Sequence, residues 1–186
     1  MNKLKTLVLV AVAMAAAIPL MAQHKRVSPH ETVSADIDGA KVSIVYGRPY
    51  TKDPKTGEAR PIFGKLVPYG KVWRTGADEA TLLISDKPLA IGGVTIPAGT
   101  NSLFTVPEES GASKLIINKK TGQWGVPYRE SEEKANELAR VDMTTAALDK
   151  PVDQFTIVIE KNPAGGGVLK MMWEKTQYSI PFTVTK

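Results

Sequence analysis

Two short runs of alternating apolar residues meet at an Asp-Gly pair near the start of the chain, and this pattern constrains the fold more than any other. In the stretch TVSADIDGAKVSIVYG, apolar side chains recur at every second position on both sides of Asp38-Gly39. Such alternation is typical of a half-buried strand. The Asp-Gly pair favours a type I′ turn, whose two central residues both take positive φ. The stretch therefore predicts a β-hairpin.

Similar turn signals divide the rest of the chain at regular intervals. Gly92-Gly93, Thr121-Gly122 and the run from Pro163 to Gly167 each separate short segments rich in apolar residues. We count roughly eight or nine such strands, which is typical of an antiparallel sandwich or a partly closed barrel. The sequence therefore predicts an all-β fold, an antiparallel β-sandwich that is jelly-roll-like or partly closed as a barrel, with residues 23–186 in a single domain.

Only one segment has the composition of a helix. Residues 129–140, RESEEKANELAR, place a serine and two glutamates near the N-terminal end and Arg140 at the other end, as the helix dipole favours. The apolar face is limited to Ala135, Leu138 and Ala139. We therefore expect one short helix on the surface of the sandwich.

Residues 1–22 have the composition of a cleavable signal peptide. Lys3 and Lys5 precede an apolar run of about a dozen residues, which is too short to span a membrane, and Pro19 ends the run. Cleavage is expected after Ala22. The chain contains no cysteine, so it has neither a lipid-attachment site nor a disulfide. We expect an exported bacterial protein, periplasmic or extracellular, that is not lipid-anchored and has no transmembrane span in its mature part.

The charge pattern argues against a nucleic-acid partner. Removal of Lys3 and Lys5 with the signal peptide leaves 22 basic and 19 acidic residues, a formal net charge of +3. The charges are interspersed, and nucleic-acid binding needs a concentrated basic surface.

The stretch WRTGADEAT, residues 73–81, concentrates reactive side chains in a short space. Asp78 and Glu79 are adjacent, so in an extended strand they point to opposite faces, whereas the two carboxylates of a glycosidase lie roughly 5–9.5 Å apart around one sugar. The favoured interpretation is structural: Arg74 forms a bidentate ion pair with Asp78 or Glu79, and Trp73 stacks on the guanidinium. Ligand binding and catalysis are the alternatives.

Histidine is too scarce for a strong metal site. His24 lies next to the predicted mature terminus, and His30 with Glu31 and Asp36 or Asp38 would hold a metal only weakly. The chain has no Gly-x-Ser-x-Gly nucleophile elbow and no complete phosphate-binding loop. The sequence therefore predicts no metal and no cofactor.

Aromatic and arginine side chains near strand ends are the remaining candidates for a ligand site. Trp124 lies in a turn between glycines, where exposed binding aromatics occur, and a position covering the end of the core is an equal alternative. Trp173 lies in a strand pattern and is expected in the core. For Arg48 a surface carboxylate is the favoured partner, and an anionic ligand is the alternative. The predicted ligand site comprises Arg48, Trp73, Arg74, Asp78 and Glu79, with Tyr46 and Trp124 lining it.

Four stretches of the chain together carry a family resemblance. They are YGRP (46–49), IFGKLVPYGKVWRTGADEAT (62–81), IPAGTNSLFTVP (96–107) and MMWEKTQYSIPF (171–182). With them the mature chain resembles the secreted bacterial proteins of domain-of-unknown-function family 2911. The resemblance implies an exported single domain of mostly β structure. It implies no reaction, substrate or catalytic residue.

No catalytic constellation is complete in the sequence, so binding is favoured over catalysis. We expect a non-catalytic binding or accessory protein of the bacterial envelope, with a glycan, a small anion or an envelope protein as its partner. One alternative is a hydrolase of a saccharide or ester that uses Asp78 or Glu79 as acid or base. The other is a structural protein-interaction module with an exposed apolar patch or an unpaired edge strand.

Overall fold

Ten β-strands and one short helix make up the computed structural model of the chain, which describes residues 26–185. The elements are β1 (His30–Ile37), β2 (Ala40–Gly47), β3 (Ala77–Ser85), β4 (Leu89–Ile91), β5 (Val94–Ile96), β6 (Gly99–Val106), β7 (Lys114–Asn118), α1 (Glu130–Glu133), a 3-10 turn (Lys134–Asn136), β8 (Glu137–Asp142), β9 (Thr144–Lys161) and β10 (Gly167–Val184). The predicted signal peptide and His24 lie outside the described residues. Within residues 26–185, no helix has the length and apolar character needed to cross a membrane.

The strands form two antiparallel sheets that bury one apolar core between them. The larger sheet has the order β1-β2-β3-β6-β7-β8 and the smaller has the order β5-β4-β10-β9. In β2 alternate side chains point inward, so that Val42, Ile44 and Tyr46 are buried, and β10 contributes Leu169 and Met171 from the opposite sheet. The predicted antiparallel sandwich is confirmed.

The predicted Asp-Gly hairpin is also confirmed. Asp38 and Gly39 take φ values of 47° and 75°, both positive as a type I′ turn requires, and Ile37 pairs with Ala40 across the turn. The local turn sets the register of β1 against β2, and this register turns the apolar side chains of β2 toward the core.

The predicted helix over residues 129–140 is wrong in its second half. α1 ends at Glu133, the 3-10 turn ends at Asn136, and the chain then continues as β8, which pairs antiparallel with β7. Ala139 and Val141 are buried at the two-residue spacing of a strand. The hydrogen bonds to β7 and the burial of these side chains outweigh the weak preference of the segment for a helix with a thin apolar face.

Glu137 connects the start of β8 to the segment before it. Its carboxylate accepts a hydrogen bond of 2.7 Å from the Tyr128 hydroxyl and contacts the Arg140 guanidinium at 2.6 and 3.2 Å. Arg140 also bonds to Glu130 of α1 at 3.0 Å. Burial raises the pKa of Glu137, but the hydrogen bonds from Arg140 and Tyr128 outweigh burial and hold this pKa below its ordinary value.

We expect Glu137→Gln to lower the free energy of unfolding by about 1–2 kcal/mol at pH 7, because charge-assisted hydrogen bonds are lost. A carboxylate whose pKa is lowered in the folded state stabilises the fold above its unfolded pKa of about 4.3, and this contribution disappears as the pH falls through the folded value. Urea unfolding at a series of pH values from 7 toward 3 measures the difference from the unmodified protein, which should shrink. The exposed Glu130→Gln should cost less than about 0.5 kcal/mol at pH 7. A loss for Glu137→Gln that is the same at every pH would contradict this account.

Residues 46–51 carry the chain from the larger sheet to the smaller sheet. The N–H of Phe155 in β9 donates to the carbonyl oxygen of Pro49 at 2.9 Å. The Tyr46 hydroxyl accepts the N–H of Ile157, also in β9, at 2.9 Å. The segment thus covers the outer edge of β9 and joins the two sheets along one side.

Candidate functional site

The Arg74 guanidinium bonds to backbone carbonyl groups and not to a carboxylate. Its Nη1 donates to the carbonyl oxygen of Asp78 and, at 3.1 Å, to that of Trp124. Thr75 and Asp78 take positive φ values of 57° and 64°, so the loop curls with a backbone oxygen facing the guanidinium. Burial lowers the pKa of Arg74, and the charge of Asp78 partly offsets this effect. The predicted ion pair with Asp78 or Glu79 is therefore wrong.

Trp73 packs against the core and does not cover Arg74. Its ring stacks on that of Trp173 with centroids 5.7 Å apart, and it meets the ring of Phe155 edge-on at 4.9 Å. The aromatic ring beside the Arg74 guanidinium is that of Trp124, whose centroid lies 5.9 Å from the guanidinium carbon. The predicted partner of Arg74 is therefore corrected from Trp73 to Trp124, while the core position predicted for Trp173 is confirmed by its 1% exposure.

Tyr46 and Arg48 join the two sheets. Tyr46 is buried, which raises the pKa of its hydroxyl. Arg48 contacts Glu31 at 2.5 Å and donates from Nη2 to the Thr156 hydroxyl in β9 at 2.9 Å. The favoured interpretation of Arg48, a partner for a surface carboxylate, is confirmed. Neither residue is among those that line the cleft described below.

Asp78 and Glu79 converge on His30. Oδ2 of Asp78 lies 3.2 Å, and Oε2 of Glu79 3.5 Å, from Nε2 of His30. The expectation that these carboxylates diverge is wrong, because Asp78 has left-handed φ and the pairing of β2 with β3 is irregular beside Gly47. Such irregularities re-aim side chains. His30 therefore meets a different set of carboxylates from the predicted Glu31, Asp36 or Asp38.

A cleft of about 560 Å³ opens beside this loop. Its charged members are Arg60, Arg74 and Asp78. Its apolar walls include Pro49, Leu66, Trp73, Trp124, Val126 and Trp173. Pockets of roughly 300–1,000 Å³ with apolar walls and a few polar groups are typical ligand sites. The cleft is therefore the candidate functional site.

Exposed apolar side chains gather at the mouth of the cleft. Within residues 26–185, five large apolar side chains are exposed: Val27, Tyr50, Leu66, Tyr69 and Trp124. Three of them, Val27, Leu66 and Trp124, line the cleft, and Trp124 is 58% exposed. Grouped apolar side chains on a surface mark binding sites more often than scattered ones do.

Two residues of the cleft also carry buried N–H groups without a hydrogen-bond acceptor. They are Nε1 of Trp173 and Nε of Arg60. Another nitrogen of Arg60 donates to the carbonyl oxygen of Tyr50 at 3.2 Å, which fixes the side chain in place. Both N–H groups are sealed from solvent, so a ligand in the cleft would reach them only if neighbouring side chains moved.

The structure brings together four of the seven predicted site residues. Trp73, Arg74, Asp78 and Trp124 line the cleft, whereas Arg48, Glu79 and Tyr46 do not. Sequence reasoning missed Arg60 as a site residue and assigned Trp173 to the core alone. No local signal marks Arg60, because it reaches the cleft from a separate loop.

A smaller pocket of about 220 Å³ lies on the other side of Trp124. Its charged groups largely satisfy one another, since Lys120 contacts Glu133 at 2.5 Å and Arg129 contacts Glu132 at 3.4 Å. The larger cleft has the greater volume and more of the exposed apolar side chains. It is the better candidate.

The fold and the cleft together define a class of protein: a two-sheet antiparallel β-sandwich with a ligand-sized cleft lined by tryptophan and arginine. The chain belongs to the family described as protein of unknown function (DUF2911), whose model matches residues 28–182. No curated protein and no solved structure matches the chain. The resemblance found in the sequence is thereby confirmed for the family, and secretion remains an expectation.

Proposed function

We propose that this protein is a non-catalytic binding protein of the bacterial envelope whose cleft takes an acidic saccharide. The observation that carries the proposal is the grouping of exposed apolar side chains, Trp124 among them, with two arginines in one cleft. The apolar face of a sugar ring can stack on an exposed tryptophan such as Trp124, and sugar hydroxyls can accept hydrogen bonds from the Arg74 guanidinium.

The charges of the cleft favour a carboxylate on the ligand. Of the residues that line the cleft, Arg60 and Arg74 are positive and Asp78 is negative; the Arg60 guanidinium also lies 3.8 Å from the Asp53 carboxylate, so Arg74 is the less neutralised of the two. A guanidinium has five N–H donors, and the bonds of Arg74 to the two carbonyl groups come from Nη1 alone. Its remaining donors suit the bidentate recognition of a carboxylate.

An envelope location supports the choice of a saccharide. The lysines, apolar run and Ala22 of the N-terminal region match an export signal. Mass spectrometry of the protein from the envelope fraction tests this part of the proposal. A mature chain that begins at Gln23 is expected, and a chain that retains Met1 in the cytoplasmic fraction would overturn it.

The hydrolase alternative has less support from the geometry. Asp78 and Glu79 both contact His30, and Glu79 also pairs with Arg26. Only Asp78 of the two lines the cleft. Two adjacent carboxylates that both contact one imidazole, with only one of them at the cleft, are poorly arranged to flank one scissile bond.

Titration calorimetry with trigalacturonic acid tests the proposed function, with maltotriose as the neutral comparison. We expect saturable binding of the acidic trisaccharide and at least about tenfold weaker binding of the neutral one, because the arginines have no carboxylate to contact. Trp124→Ala and Arg60→Gln should each weaken binding by about tenfold, since removal of an anchor residue costs more than about 1 kcal/mol.

Matched variants outside the cleft separate binding from general damage to the fold. Tyr69→Ala removes another exposed aromatic ring and Arg129→Gln another exposed guanidinium, and both should bind as the unmodified protein does. The proposal would be overturned by the absence of binding at millimolar trigalacturonic acid. Equal loss of affinity in the cleft variants and in their controls would overturn it too.

A further inference from the structure

His30 lies at the start of β1 with its ring directed across the neighbouring strand. In the register of β1 and β2, His30 pairs with Gly47. A Cβ atom at position 47 would lie 3.1 Å from Nε2 of His30. The missing side chain at Gly47 therefore gives the imidazole room to reach the start of β3.

Two carboxylates meet the imidazole there. Oδ2 of Asp78 and Oε2 of Glu79 lie 3.2 and 3.5 Å from Nε2 of His30, and one ligand atom of each of the three residues lies within 4.8 Å of the others. The left-handed φ of Asp78 is what brings both adjacent carboxylates to one side.

One oxygen of this group has no hydrogen bond. Oε2 of Glu79 is sealed from solvent and accepts none; Nε2 of His30 lies 3.5 Å from it, and the contact of Arg26 with this carboxylate is to the other oxygen, Oε1. A buried carboxylate oxygen without a donor is costly. A cation bound between the three side chains would satisfy it.

We propose that His30, Asp78 and Glu79 bind a divalent transition metal, and that zinc is the ion the ligand set fits best. Zinc takes histidine nitrogen and carboxylate oxygen at about 2.0–2.2 Å in tetrahedral geometry, which places neighbouring ligand atoms roughly 3.3–3.6 Å apart. The two separations from Nε2 are close to that range. Three protein ligands leave the fourth position open to water or to a ligand group.

Arg26 would compete with a metal ion for His30 and Glu79. Its Nη1 lies 2.7 Å from Nδ1 and 2.9 Å from Nε2 of His30, and its Nη2 pairs with Glu79. The guanidinium thus contacts two of the three groups that a metal would use. Because zinc carries two charges against one for the guanidinium, it can displace Arg26 from them.

The site borders the cleft through Asp78 but goes beyond the proposed function. Two of its three ligands, His30 and Glu79, do not line the cleft, and the tests substitute these two, so either proposal can fail without the other. The proposed zinc site differs from the expectation of no metal, because that expectation considered Glu31, Asp36 or Asp38 as the neighbours of His30 and not Asp78 and Glu79.

Titration calorimetry of the purified protein with zinc chloride tests the site. We expect one zinc per chain, and at least about tenfold weaker binding in His30→Gln and in Glu79→Gln, since each removes one of three ligands. Arg26→Gln should bind zinc more tightly, because the competing guanidinium is gone. Magnesium, which prefers oxygen ligands in octahedral geometry, should bind at least about tenfold more weakly than zinc.

Two controls locate the binding. His24→Gln removes the other histidine of the chain, and Asp142→Asn removes an exposed carboxylate elsewhere; both should bind zinc as the unmodified protein does. A second readout is the melting temperature, which a fixed zinc concentration should raise in the unmodified protein and in the controls and raise less in His30→Gln. The proposal is overturned if no zinc binds at 1 mM, if His30→Gln retains the affinity, or if His24→Gln loses it.

Discussion

Trp173→Ala is expected to lower the free energy of unfolding by about 3–5 kcal/mol, the cost typical of a large aromatic side chain removed from a core. The ring of Trp173 is almost fully buried and lies at the centre of an aromatic group. Its centroid is 5.7 Å from those of Trp73 and Phe155 and 6.4 Å from that of Phe63. Urea unfolding followed by circular dichroism measures the loss.

Two matched substitutions define how much of this loss comes from burial. Trp173→Phe keeps an aromatic ring in the core and should cost less than the alanine variant. Trp124→Ala removes the same side chain from an exposed position and should change the free energy of unfolding by less than about 1 kcal/mol. A similar loss at positions 124 and 173 would show that the aromatic group does not support the core as described.

Gly47→Ala is expected to lower the free energy of unfolding by about 2–3 kcal/mol, because the added methyl group has no room. Its Cβ would lie 2.3 Å from the carbonyl oxygen of Ala77 and 2.9 Å from the carbonyl carbon. Both are backbone atoms of β3, so the strand itself must move. The same shift would separate His30 from Asp78, and zinc affinity should fall in this variant. Thermal and urea unfolding, with zinc titration of the folded variant, measure both effects.

Gly122→Ala is the control for Gly47→Ala. Position 122 has a positive φ of 81° but no heavy atom within 4 Å of an added Cβ. This variant should cost only about 1 kcal/mol of backbone strain and leave zinc binding unchanged. If alanine at position 47 costs no more than alanine at position 122, the close approach of β2 and β3 is not the constraint described above.

Local turn chemistry made part of the fold predictable. The Asp38-Gly39 turn forms as predicted because both residue types readily take the positive φ values that the turn requires. The strand at 137–142 was not predictable in this way, since its partner β7 lies about 20 residues earlier in the chain. Long-range pairing decided that segment against its local helix preference.

The sequence predicted several residues of the candidate site correctly, but it did not predict which groups their side chains contact. Trp73, Arg74, Asp78 and Trp124 were selected from residue type and position near turns, and all four line the cleft. Their contacts differ from those expected. Asp78 has left-handed φ, so the side chains of Asp78 and Glu79 do not point to opposite faces as they would in a regular strand. A backbone angle of this kind in a residue other than glycine leaves no clear trace in a single sequence.

The last residues of β10 join β4 and β5 to the rest of the smaller sheet. Phe182, Thr183 and Val184 pair with Ile91, Ala90 and Leu89 of β4, and β4 in turn carries β5. These contacts span roughly half of the chain, and contacts of large sequence separation slow folding. Loss of residues 182–184 would remove the pairing of β10 with β4, which joins β4 and β5 to the rest of the smaller sheet. A short C-terminal truncation should therefore disturb a part of the sheet that is formed by residues far earlier in the chain.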